Sequence, residues 1–62
     1  MKTYHIKELP PGITQTMIAR AMGITQGAVS QALKNGRDIY FEIDEDLNIS
    51  EYYEVIRPKK AS

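Results

Sequence analysis

Cysteine and tryptophan are absent from this 62-residue chain, and it holds only one histidine and one phenylalanine. Without cysteine there are no disulfides and no thiolate metal sites. With a single histidine beside that, a structural zinc ion has too few soft ligands. The sequence also lacks a phosphate-cradling glycine loop and paired carboxylates on rigid elements, so catalysis finds no constellation to work with. His5 has no carboxylate or hydroxyl pattern around it and reads as a surface or half-buried structural residue. No apolar run is long enough to span a membrane, and no signal-peptide core follows Met1. The expectation is one soluble, intracellular domain over residues 1–62, without cofactor, metal or small-molecule substrate. A chain this short buries a modest fraction of its surface, so its core is marginal unless a partner adds to it.

Charge of either sign is not lacking, but it is unevenly placed. The net charge is zero. Residues 1–37 carry Lys2, Lys7, Arg20, Lys34 and Arg37 against Glu8 alone, a balance of +4. Residues 38–62 carry seven acids against Arg57, Lys59 and Lys60, a balance of −4. Such a split orients a domain toward a polyanion, with the basic half leading.

The basic half contains the most structured stretch, Gln15 to Arg37. Ile18, Ala19 and Met22 recur on one helical face. Ala28, Val29, Ala32 and Leu33 form a second apolar stripe. Between them, Gly23 suits the left-handed residue that ends one helix and Thr25 suits the cap that begins the next. Thr14 is a matching cap for the first helix, and Asn35-Gly36 closes the second. Two amphipathic helices forced together across so short a turn predict a helix-turn-helix over residues 15–36. Ala19 fits a close crossing.

Either side of this motif the period changes. Met1 to Ile6 predicts a short edge strand. Lys7-Glu8-Leu9 predicts a short or 3₁₀-like first helix, stopped by Pro10-Pro11-Gly12, with Ile6, Leu9 and Ile13 facing the core. Ile39, Phe41 and Ile43 alternate with Tyr40, Glu42 and Asp44 in a half-buried strand. Asp44 to Asn48 is a polar turn, and its acidic run lacks the spacing of a calcium loop. Ile49 to Arg57 returns as a second strand. Its apolar residues fall on both parities, which a bulge near Glu51 or burial of both faces reconciles. Pro58 ends it, and residues 59–62 read as a flexible tail. The fold class is α+β, with three short helices, a C-terminal antiparallel hairpin over 39–57 and a short N-terminal strand.

The segment Gln15–Pro58 resembles the Cro repressors of lambda-like phages, in their α+β branch. The resemblance rests on Gln15-Thr16, Ala19, Gly23, Gln26, Ala28, Ala32, Gly36-Arg37, Ile39, Ile43 and the hairpin ending in Arg57-Pro58. It implies a homodimer in a bacterial cytoplasm, with the second helix of the motif in the major groove of a pseudo-palindromic operator. By matching position it assigns base reading to Gln26, Gly27, Ser30 and Gln31, with Lys34 nearby. Phosphate contact falls to Gln15, Thr16, Thr25 and Arg37. Tyr52, Glu54, Val55, Ile56 and Pro58 fall in the dimer strand. Gln31 stands where lambda-type members carry a guanine-reading lysine, and Gln prefers the adenine edge, which implies a different operator. Lys59 stands where they carry an anchoring phenylalanine. A competing reading remains open: a small regulator of the antirepressor or antitoxin kind, which keeps the fold and binds another protein. The zero net charge and the replaced lysine are its support.

Overall fold

Alternating β-branched and aromatic residues build strands before and after the helical motif, and the two regions close into one sheet. The computed structural model describes residues 1–56. The expected strand end at Arg57, the dimer residue Pro58 and the tail 59–62 lie outside the described residues. The elements run β1 (Lys2–His5), α1 (Gln15–Met22), α2 (Gln26–Lys34), β2 (Asp38–Ile43) and β3 (Ile49–Val55). The sheet is antiparallel in the order β1-β2-β3, with β2 in the centre.

β2 shows the alternation its sequence dictates: Ile39, Phe41 and Ile43 are buried, and Asp38, Tyr40 and Glu42 are half-buried on the other face. β1 pairs with it from Lys2 opposite Ile43 to His5 opposite Tyr40. The Ile6 amide extends the pairing by donating to the Ile39 carbonyl at 2.8 Å.

The expected first helix at Lys7–Leu9 is not formed, so the chain has two helices among the described residues instead of three. Its place is taken by a turn in which the Glu8 amide donates to the His5 carbonyl at 2.8 Å. The segment is trapped between a strand that has already claimed Ile6 and a proline that pushes Leu9 out of the helical region. Three residues cannot meet the cost of helix nucleation between those limits. The inward side chains are nonetheless as read: Ile6 is buried, and Leu9 and Ile13 pack half-buried against the core.

The mixed parity of β3 is resolved by a bulge. Glu42 faces Glu51, but Ile43 faces Ile49, which leaves Ser50 as the extra residue. The Ser50 hydroxyl donates to the Glu42 carbonyl at 3.2 Å. On the two sides of the bulge the register sets Ile49, then Tyr52 and Glu54, opposite Ile43, Phe41 and Ile39, on the helix-facing side. Tyr53 and Val55 pair with Tyr40 and Asp38 on the outer side. The bulge lies one residue before the Glu51 position read from the sequence.

Between β2 and β3 the acidic turn is held by its own first residue. Asp44 Oδ1 accepts from the amides of Asp46 and Asn48, each at 2.9 Å, the local bonding that suits Asp to turns. The core gathers Ile6, Ile18, Ala19, Val29, Ala32, Ile39, Phe41 and Ile43, so both helices and the central strand meet in one cluster. Met22 and Leu33 fill its edge. Among the described residues no helix is long and apolar enough to cross a membrane.

Candidate nucleic-acid interface

Each helix of the motif starts and stops as its sequence dictates. Thr14 is extended at φ −108°, and its Oγ1 accepts from the Met17 amide at 3.3 Å. Thr25 repeats the arrangement, accepting from the Ala28 amide at 3.1 Å. Gly23 adopts φ 69° and ψ 31° between them, and its amide closes α1 by bonding the Arg20 carbonyl at 3.2 Å. These caps satisfy amides and carbonyls that helix ends otherwise leave unpaired. They also fix the angle at which α2 leaves α1.

That angle decides what α2 shows to solvent. Val29 and Ala32 are buried, while Ala28 and Leu33 are half-buried beside them. Gln26, Gly27, Ser30, Gln31 and Lys34 are all exposed along the opposite face. The residues matched to base reading are thus brought together on one uncovered helical surface. Gly27 has no side chain to offer there, and a Cβ at that position would meet only Thr25 Oγ1, at 3.8 Å.

The N-terminus of α1 sits against this face. Gln26 Nε2 donates to Thr16 Oγ1, and Ser30 Oγ donates to Gln15 Oε1 at 3.3 Å. These two bonds tie side chains matched to phosphate contact to side chains matched to base reading. The Gln15 side-chain oxygen is engaged by Ser30, and among the described residues its amide nitrogen makes no hydrogen bond.

Arg37 follows Gly36 at the exit of α2, where its amide bonds the Ala32 carbonyl at 3.1 Å. Its guanidinium grips Glu54 on β3, with Nε donating to Oε2 at 2.7 Å and Nη2 to Oε1 at 2.5 Å. Hydrogen bonding to Arg37, aided by its charge, holds the Glu54 carboxyl below its ordinary range against opposing desolvation and the charge of Asp38. The same hydrogen bonds, then the Glu54 charge, raise the Arg37 guanidinium further. The family resemblance matches Arg37 to phosphate and Glu54 to the dimer strand and does not link them. The link needed the strand register, because only the bulge at Ser50 turns Glu54 to the helix side.

Of the residues that the resemblance matches to a dimer strand, Tyr52, Glu54 and Val55 lie on β3 and Ile56 just past it. Tyr52 packs its ring against Phe41, with centroids 5.9 Å apart. Tyr53 stacks on Tyr40 across the other face at 5.5 Å. The two neighbours therefore point oppositely, as adjacent strand residues must. Tyr52, Val55 and Ile56 remain exposed, Ile56 to 83%. β3 is also an edge strand, paired only with β2 among the described residues. His5 is structural here: its Nε2 lies 3.0 Å from Asp38 Oδ1, its Nδ1 accepts from the Lys7 amide at 3.1 Å, and its ring meets Tyr40 edge-on.

The family model for Cro matches residues 1–58. The chain belongs to the Cro family. Among solved structures it is similar to the Cro protein from prophage Pfl 6 in Pseudomonas fluorescens Pf-5, at 37% identity and a TM-score of 0.69. That match covers 94% of this chain and 95% of the other, so the likeness extends well beyond the helix-turn-helix. None of the curated proteins compared with the chain matches it. The protein is a phage Cro-type transcriptional regulator, of a family whose members are non-enzymatic DNA-binding repressors. For this Cro-family chain, the α1–α2 surface and the exit at Arg37 are the candidate interface.

Proposed function

We propose that this Cro-family chain binds operator DNA as a homodimer and represses transcription by blocking promoter access in the cytoplasm of a bacterial host. The observation that carries the reading is the exposed row Gln26, Gly27, Ser30, Gln31 and Lys34 on a helix whose other face is locked into the core. α2 enters the major groove and Gln26, Ser30 and Gln31 read base edges, with Gly27 admitting close backbone approach and Lys34 adding charge. Gln favours the adenine N6/N7 edge. Gln15, Thr16, Thr25 and Arg37 hold the flanking phosphates and set the register. The dimer forms along β3 through Tyr52, Glu54, Val55 and Ile56, with Pro58 continuing the same segment. An exposed edge strand with apolar residues favours that assembly.

Fluorescence anisotropy against pooled random duplexes tests this. The expected outcome is saturable binding that enriches one family of sequences and weakens as salt rises. Arg37 neutralising one phosphate in each protomer sets the slope of log K against log [salt] at about −2 or steeper for the dimer. Binding that is flat across sequences, or absent, refutes the reading. Tight capture of a protein partner with no duplex binding supports the antirepressor-like alternative instead.

A further inference from the structure

The Arg37–Glu54 pair has a geometry that a simple surface ion pair does not need. Both bonds use one edge of the guanidinium, Nε with Nη2. A guanidinium has five N–H donors arranged on two forks. Glu54 fills the side fork, and among the described residues the end fork, made of Nη1 and the outer hydrogen of Nη2, is left for a second bidentate acceptor. A phosphate is such an acceptor. Both partners are also held from behind. The Arg37 amide is fixed to the Ala32 carbonyl at the end of α2, and Glu54 is fixed by its register opposite Ile39.

Resting on the DNA-binding reading above, we propose that Glu54 is a positioning residue for DNA, clamping Arg37 so that its free fork meets a backbone phosphate beside α2. An unclamped arginine loses rotamer freedom when it binds, and Glu54 removes most of that loss beforehand. The carboxylate also repels the phosphate, but the two occupy different edges of the guanidinium, and its positive charge attracts both. Arg37 and Glu54 are exposed enough, with side chains 46% and 30% accessible, for water and salt to screen that repulsion. The clamp joins the exit of the reading helix to the strand proposed for dimerisation. Phosphate position and dimer geometry are thereby referred to one another.

The test compares the wild type, Glu54→Gln, Arg37→Lys and the double variant. Each is titrated by anisotropy against a duplex selected from the random pool, and sedimentation equilibrium gives each dimer constant. Glu54→Gln is expected to weaken binding about threefold per protomer, hence about tenfold per dimer, after correction for any change in its measured dimer constant. In the Arg37→Lys background, which lacks the forks, Glu54→Gln is expected to have no such effect. Tighter or unchanged binding by Glu54→Gln overturns the proposal and shows Glu54 to be a competitor or a bystander. So does an equal loss in the Arg37→Lys background, or a loss wholly explained by weaker dimerisation. Failure of the wild type to bind any duplex overturns the DNA-binding reading and this inference with it.

Discussion

Replacing Gly23 with alanine isolates a single conformational term in the turn on which the interface depends. Gly23 sits at φ 69°, and a Cβ built there meets no heavy atom within 4 Å. The substitution therefore causes no repacking, and its cost is the left-handed backbone itself, about 1–2 kcal/mol for an L-residue. Alanine restricts the unfolded chain more than glycine does, which returns about 0.4–1 kcal/mol. The net loss is about 1 kcal/mol, and for a domain of this size it lowers Tm by about 4–8 °C. Urea unfolding followed by far-UV circular dichroism reads it as a lower midpoint at unchanged slope. Gly23→Asn recovers about half of the loss, because asparagine tolerates this region better. Gly12→Ala provides the contrast. Gly12 also has a positive φ, 95°, but its new Cβ would lie 2.7 Å from Leu47 Cδ1, so the exposed end of that side chain must also move aside. A Gly23→Ala midpoint indistinguishable from wild type, or asparagine worse than alanine, refutes the claim that a left-handed residue fixes this turn.

Phe41→Ala removes a fully buried ring from the centre of β2 and is expected to cost about 3–5 kcal/mol, most of the stability of so small a domain; calorimetry reads this as loss of a cooperative transition near 37 °C. Gln31→Ala touches only the exposed face, so its melting temperature stays near wild type while discrimination at one base pair falls by about 1–3 kcal/mol, read by competition with single-site operator variants. The depressed Glu54 carboxyl predicts a stability term present above the ordinary carboxylate range and lost as pH falls through the lower, folded-state value. Wild type and Glu54→Gln are expected to differ in urea midpoint at pH 7 and to converge in acid.

The features legible in the sequence were those set by neighbours close along the chain. Thr14, Gly23 and Thr25 act within a turn of their own position, so their caps were visible as residue types at a spacing. The alternation in β2 is equally local, and it gave the buried set Ile39, Phe41 and Ile43 directly. The expected helix at Lys7–Leu9 gives way to a turn because helical character over three residues is overridden by what lies on either side. There, one amide is already bound to Ile39 and a proline follows. The Arg37–Glu54 clamp was invisible for a different reason. It joins residues 17 apart, and its existence depends on Ser50 being the bulged residue, which shifts every later side chain to the opposite face.

The two faces of α2 use disjoint residues, and that separation has a consequence for how such a regulator changes its target. Val29 and Ala32 hold the helix to the core, and none of Gln26, Gly27, Ser30, Gln31 or Lys34 is buried. On the proposed function, substitutions in this row are expected to alter base preference at little cost to folding, since surface changes away from special features usually fall within about 0.5 kcal/mol. Two contacts break that independence. Thr16 with Gln26 and Gln15 with Ser30 each tie a side chain of this exposed row to α1. Gln31 and Lys34 carry no such tie among the described residues. Changes at Gln31 and Lys34 should then act alone. Changes at Gln26 or Ser30 should couple to Thr16 or Gln15 in double-mutant cycles by more than the roughly 0.3–0.5 kcal/mol expected of independent sites. Additive cycles at both pairs would mean the bonds across the helix crossing do not persist in solution, and the reading face would then be one unsupported row.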